Sequence, residues 1–286
     1  MFYSKINQIS WTTIMPTTPN LEELLYNKEL LERELSKNPQ LINKKDKQGM
    51  TLLHHIAVME DLGQSSLEPI IDILLAQPSI NFNIEDNKGN TAIHLAASSR
   101  ERTNCEFIFP KLVEKAEKNQ FNFSMLDKQG QAIIHLASRL SYSSPITGKR
   151  INKIETLIKY APSLDLNVLS SSGSSALFYA LNSVHFPEAD TLLNAGANPS
   201  LGNEGRKPLE QVKKHLKTIE QLDKNSKHYK VKLDKLTELH QKITDTLRTD
   251  SLSIILEQYN KERQNDPRER FGLSFIPLKV TLKLKS

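Results

Sequence analysis

The chain has 286 residues, of which 38% are apolar and 25% charged, with a formal net charge of +5. Its single cysteine, Cys105, excludes an intramolecular disulfide and suits a reducing cytosol. No run approaches the ~18 apolar residues of a membrane span, and the first residues lack the apolar core and cleavage pattern of a secretory signal, so a soluble, cytoplasmic protein is expected.

Residues 1–18 are polar, and Pro16 and Pro19 end any local order, which predicts a flexible N-terminal segment. Structure is expected from Leu21. There Leu24, Leu25, Leu30, Leu31 and Leu35 recur at helical spacing, Asn20 stands at an N-cap position, and Glu22 and Glu23 fall in the first turn.

A repeated pattern follows. DKQGMTLLHHIA at 46–57 returns as DNKGNTAIHLAA at 86–97, DKQGQAIIHLAS at 127–138 and SSSGSSALFYAL at 170–181, with a degraded NEGRKPLEQV at 203–212. The anchoring glycines Gly49, Gly89, Gly130, Gly173 and Gly205 lie 40, 41, 43 and 32 residues apart, which marks a repeat architecture. Each unit reads as turn, helix, turn, helix. The glycine permits a positive backbone angle, the Asp three residues before it can bond the turn amides, and Thr51 and Thr91 sit where a hydroxyl caps the next helix.

Second helices are expected at 67–75, 107–116, 154–160 and 189–193. Extra residues between the helices, at 59–69, 98–105 and 138–152, emerge as loops in such an architecture. In the fourth unit Leu192-Leu193-Asn194-Ala195-Gly196-Ala197-Asn198-Pro199 completes the pattern.

These residues resemble the ankyrin repeat, whose motif runs D-x-x-G-x-T-P-L-H-x-A over about 33 residues. The resemblance spans 21–212 and implies an all-α ankyrin solenoid of about five repeats, counting degenerate ends, across 19–206. It departs from the family where Leu52, Ala92 and Ile133 replace a proline and where Phe178 and Glu210 replace the histidine. It also implies that His54, His94 and His135 tie adjacent turns through backbone hydrogen bonds. A shared metal is not expected, because equivalent positions on packed helices stand about 8–10 Å apart, too far for ligands at ~2 Å.

Beyond Gly205 the apolar stripes lengthen. Leu209, Val212, Leu216, Ile219 and Leu222 form one, and Leu233, Leu236, Leu239, Ile243 and Leu247 a second across the polar stretch 223–226, which predicts an antiparallel helical hairpin as a C-terminal extension at 207–263. A further helix is expected at 252–259. The tail, 264–286, alternates Leu278, Val280, Leu282 and Leu284 with polar residues, and reads as either a strand or a flexible segment. The positive charge is concentrated here: residues 204–286 hold 19 Lys/Arg against 12 Asp/Glu, while 1–203 hold 19 against 21.

Nothing assembles into a catalytic constellation. Thr147-Gly148-Lys149-Arg150 lacks the first glycine and the final hydroxyl of a phosphate loop, and Cys105 has no neighbour in sequence arranged to activate it. We therefore expect no enzyme activity and no cofactor, but a protein-binding scaffold. Its candidate contacts are the turn tips Lys47, Gln48, Met50, Asn87, Lys88, Asn90, Lys128, Gln129 and Gln131, with Met50 as the apolar anchor. The irregular repeats, Lys/Asn-rich composition and helical extension are similar to ankyrin effectors that intracellular bacteria deliver through type IV secretion. That resemblance implies a host-protein partner, delivery into the host cytosol and an export signal in the tail. The alternative places function in the lysines of 213–235, binding anionic lipid or nucleic acid.

Overall fold

The structure, a computed structural model, describes residues 20–59, 64–101, 104–140, 142–143, 150–219 and 227–264. The segment 1–18, the hairpin turn 223–226 and the tail beyond Gln264 lie outside the described residues.

The chain opens with two short helices, α1 (Leu21–Leu24) and α2 (Lys28–Lys37). Asn20 starts α1 as expected: its side chain accepts from the Glu22 amide at 3.4 Å, while the Glu23 carboxylate accepts from the Asn20 amide at 3.3 Å. Two orphan amides of the helix start are thereby satisfied reciprocally. Leu21, Leu24, Leu25, Leu31 and Leu35 are all buried beneath the polar outer face of this pair.

Four units follow, each with a first and a second helix. The first helices are α3 (Leu52–Val58), α5 (Ala92–Ser98), α7 (Ile133–Ser138) and α9 (Ala176–Asn182). The second are α4 (Gln64–Leu75), α6 (Phe109–Lys118), α8 (Lys153–Tyr160) and α10 (Phe186–Asn194), with a π-helical turn, Asn104–Ile108, leading into α6. First helices pack on first helices in sequence order. Ala57, Ala96, Ala97, Ala137 and Ala180, all fully covered, supply the small side chains that let them approach. Between the two rows lie Leu52, Ile56, Leu74, Ile93, Leu112, Ile134, Leu157 and Leu192, each fully buried. Every such side chain contributes about 1.5–3 kcal/mol on leaving water.

The third insertion departs from a plain loop. Its base closes as a two-residue antiparallel ribbon, β1 (Tyr142–Ser143) against β2 (Arg150–Ile151), with Tyr142 opposite Ile151. Arg150 then reaches Glu188 on α10, donating through Nε to Oε1 at 3.2 Å and through Nη2 to Oε2. Glu188 is fully buried, so this guanidinium is what makes a carboxylate tolerable there.

Helix α11 (Pro208–Ile219) continues from the fifth turn with Pro208 in its first turn, and α12 (Lys227–Gln264) packs back against it, the expected hairpin. Leu236, Leu239 and Ile243 of α12 are buried. Lys242 ties α12 to the stack by donating to Asp190 and Asn194 on α10. One expectation is corrected: residues 252–259 are not a separate helix but part of α12, which runs 38 residues without interruption. No Pro or Gly falls between Lys227 and Gln264, so nothing in that stretch breaks the helical ladder. Among the described residues, no helix is long and apolar enough to cross a membrane.

Three helix ends show the same motif with different residues; at α6 it is Gln120, φ +56°, with Gln120 N–H bonded to Glu117 O at 3.0 Å and Phe121 N–H to Ala116 O at 3.1 Å. At α10, Gly196 adopts φ +90°, with Gly196 N–H bonded to Leu193 O at 3.1 Å and Ala197 N–H to Leu192 O at 2.9 Å, the paired bonds of a Schellman cap. At α9 the equivalent bonds run from Val184 to Leu181 at 3.0 Å and from His185 to Ala180 at 2.9 Å. There a β-branched valine, 42% exposed, holds φ +61°, a conformation suited to glycine.

Candidate functional site

The turns are built alike. Asp46 Oδ1 accepts from the amides of Gln48 and Met50, both at 2.8 Å, and Asp86 Oδ1 from those of Lys88 and Asn90, also at 2.8 Å. Asp127 accepts from Gln131 N–H at 2.8 Å. Burial opposes ionisation of Asp46, yet the Met50 amide, His55 and the Gln48 amide together hold its carboxyl below the usual range. The glycine that follows has no room for a side chain: at Gly130, φ +71°, a Cβ would meet Ser171 Oγ at 1.7 Å.

Each turn bonds the next. Asn87 N–H donates to Gln48 O at 2.9 Å, Ser171 N–H to Gly130 O at 2.8 Å and Asn203 N–H to Gly173 O at 2.9 Å. The histidines complete the ladder. His54 Nδ1 accepts from Thr51 N–H at 3.1 Å, and its Nε2 meets Asn90 O at 3.0 Å. His94 reaches Met125 O and His135 reaches Val168 O, both at 3.0 Å. Because Nδ1 accepts from an amide, Nε2 carries the proton, and the neutral ring bridges two units. Burial lowers the affinity of all three for a second proton, and that of His135 falls to about 4. In the fourth unit Phe178, 8% exposed, fills the histidine slot and makes no such bond.

A second set of ties was invisible in the sequence. Asn104 Nδ2 donates to Ala57 O at 2.8 Å, Lys153 Nζ to Ala96 O, Ala97 O and Ser99 O at 2.7, 3.1 and 2.6 Å, His185 Nδ1 meets Ser138 O at 3.3 Å and His215 Nε2 meets Leu181 O at 2.8 Å. Each first helix thus has its orphan C-terminal carbonyls taken by a side chain from a later unit. Lys153 also corrects the reading of Cys105: a lysine does approach the thiol, but burial dominates and pushes the thiol up, while burial pushes Lys153 down to about 8. Cys105 is therefore an inert, buried group despite its neighbour.

The candidate contact residues divide into two sets. Asn87 Nδ2 is spent on Lys47 O at 2.9 Å, Lys128 Nζ on Asn87 O at 2.7 Å, and Asn90 Nδ2 on the Asp86 carboxylate at 3.3 Å. Gln131 Oε1 accepts from Arg139 Nη1 at 3.2 Å. Lys47, Gln48, Lys88 and Gln129 are exposed, and Met50 is half-buried in a cleft of about 550 Å³ with Asn20, Leu21, Lys45 and His55. The structure adds a row that sequence reasoning missed: one residue after the histidine slot stand the half-buried His55, Leu95, Leu136 and Tyr179, and three further on Val58, Ser98, Arg139 and Asn182 face solvent. The signal was their fixed offset from the slot.

A family model describing ankyrin repeats in three copies matches residues 21–122. Chains of known structure match as well, among them the crystal structure of the ankyrin repeat domain of Bcl-3, described as a unique member of the IkappaB protein family. It superposes with a TM-score of 0.55 over 72% of this chain and 85% of that one. Residues 21–122 carry ankyrin repeats, and the stack as a whole has the ankyrin-repeat fold. At 18% identity the likeness to Bcl-3 concerns the fold alone. A search of curated protein sequences finds no match. The ankyrin stack accounts for the turn aspartates, the glycines and the bridging histidines as scaffold.

Proposed function

We propose that this ankyrin stack is a protein-interaction scaffold, without enzymatic activity, whose partner contacts the tips and the concave face of the first helices. What carries the reading is the half-buried Met50, Leu95 and Leu136 with Val58, the latter 45% exposed: apolar area that the scaffold leaves partly uncovered, beside polar tips. Affinity capture from eukaryotic lysate with the full chain tests it. The double variant Met50→Ala, Lys88→Ala is expected to weaken partner retention about tenfold with an unchanged melting temperature; equal retention discards this surface.

The finer reading is that the chain is an effector delivered into a host cell by a type IV system, with a host protein as target. Its support is the irregular repeats, the Lys/Asn-rich composition and the helical extension. Removing residues 268–286 is expected to abolish delivery, and intact delivery counts against it.

The alternative rests on exposed lysines, Lys213, Lys214 and Lys217 on α11 and Lys230, Lys232 and Lys235 on α12. Retention that vanishes at high salt and depends on these residues favours anionic lipid or nucleic acid instead.

A further inference from the structure

The fourth turn breaks the rule of the first three in a way that concentrates hydrogen-bond donors. Where Asp46, Asp86 and Asp127 stand in the other turns, this one has Ser170, whose hydroxyl accepts from Ser174 N–H at 3.1 Å. The carboxylate is gone, and hydroxyls replace it: Ser170 and Ser172 Oγ lie 3.0 Å apart, Ser172 and Ser174 Oγ 3.2 Å, and Tyr179 Oη stands 3.4 Å from Ser170 and 3.5 Å from Ser172. In the first unit the pair at these two positions is Asp46 with His55, 2.9 Å apart, an anion beside an imidazole.

Two guanidinium groups approach this anion-free turn, Arg206 at its serines and Arg139, which also donates to Gln131 Oε1 at 3.2 Å, at Tyr179. Arg206, from the fifth turn, donates through Nη1 to Ser172 Oγ at 3.3 Å and Ser174 Oγ at 3.0 Å. Arg139, at the end of α7, lies 5.8 Å over the Tyr179 ring. Both are exposed, and neither forms a salt bridge among the described residues. Burial would raise the Tyr179 phenol, but the three serine hydroxyls and the Arg139 charge bring it below its ordinary value, so the local field favours negative charge. From Arg139 the surface continues into a cleft of about 440 Å³ lined by Ser98, Arg100, Leu136, Leu140, Ser183 and His185. Among the described residues, no acidic side chain lines that cleft.

We propose that this end of the face receives an acidic segment of a protein partner, with carboxylates held by Arg139 and Arg206 beside Tyr179 Oη and Ser172 Oγ, and the flanking chain lying in the cleft beside Arg100. The inference rests on the scaffold reading above and names the chemistry of the partner. Guanidinium and hydroxyl donors match carboxylate oxygens in geometry as well as charge. A nucleic acid is less well served, since Arg139 stands over one face of the Tyr179 ring, 5.8 Å from its centroid, where a base would have to stack.

Fluorescence anisotropy on the full chain tests it, with three labelled probes: a peptide alternating Glu with Gly and Ser, its Gln counterpart, and single-stranded oligothymidylate. The Glu peptide is expected to bind saturably and the Gln peptide not to bind. Arg139→Gln with Arg206→Gln is expected to weaken the Glu peptide about tenfold, the combined loss of two exposed ion pairs. The pair Lys213→Gln, Lys217→Gln removes the same charge and is expected to change nothing; thermal melts of both variants confirm folding. The inference is overturned if the Arg pair has no effect, if the Lys pair weakens binding equally, or if the oligonucleotide is the preferred probe. It can fail in these ways while Met50→Ala, Lys88→Ala still reduces partner retention, which leaves the scaffold reading standing.

Discussion

At the scale of single residues, the histidines show how one side chain serves two units. His135 is 0% exposed, accepts from Ala132 N–H at 2.9 Å through Nδ1 and donates across the repeat boundary through Nε2. Its affinity for a second proton drops from 6.5 to about 4, and those of His54 and His94 drop too. The unfolded chain therefore binds more protons between these values, and stability falls as the pH decreases from about 6.5, with the His135 share fully lost below about 4. For His135 alone that share is on the order of 3 kcal/mol. Urea unfolding at a series of pH values checks this: the expected slope is a loss of stability toward acid that flattens in His135→Gln, and an equal slope in the variant contradicts the assignment. These histidines were legible because they stand at one fixed offset from the turn glycine. Asn104, Lys153, His185 and His215, which cap the first helices, were not, because three residue types do one job from positions shifted by the insertions.

At the scale of elements, periodicity located the helices and polar residues their ends, but not the length of α12. Its apolar spacing slips between Leu247 and Leu252, which reads as a boundary in sequence, yet a helix interrupted only in its stripe and not by Pro or Gly simply continues. The same scale holds a local strain. Val184 occupies the left-handed position of a Schellman cap at φ +61°, whereas Gly196 occupies the equivalent position after α10. Val184→Gly is expected to raise stability by about 1 kcal/mol, since relief of the β-branched strain exceeds the extra freedom of glycine in the unfolded chain. Chemical denaturation measures it; a destabilised variant shows instead that valine's packing outweighs its backbone cost.

At the scale of the molecule, the repeats divide labour. Aspartate, glycine and histidine at the first three turns make the ladder, so under the scaffold reading what differs between turns is what a partner can distinguish. That logic was readable in the sequence as far as the tips, and Lys47, Gln48, Lys88 and Gln129 are exposed there. It ran out where side chains turn back on the scaffold, as Asn87 and Lys128 do, because whether a tip residue bonds its neighbour depends on stacking distance and not on residue type. The donor-rich fourth turn needed the structure for a similar reason: Arg139 and Arg206 are 67 positions apart in the chain and are brought to the residues of this turn only by the stack.

The most direct test of the central claim, that the first-helix face and the turn tips bind a protein partner, is hydrogen–deuterium exchange of the full chain with and without its captured partner. Protection is expected at the tips around Met50 and Lys88 and along α3, α5, α7 and α9, with α11 and the start of α12 unchanged. Protection confined to α11 and α12, with the tips exchanging as in the free chain, would contradict the account and assign function to the basic hairpin.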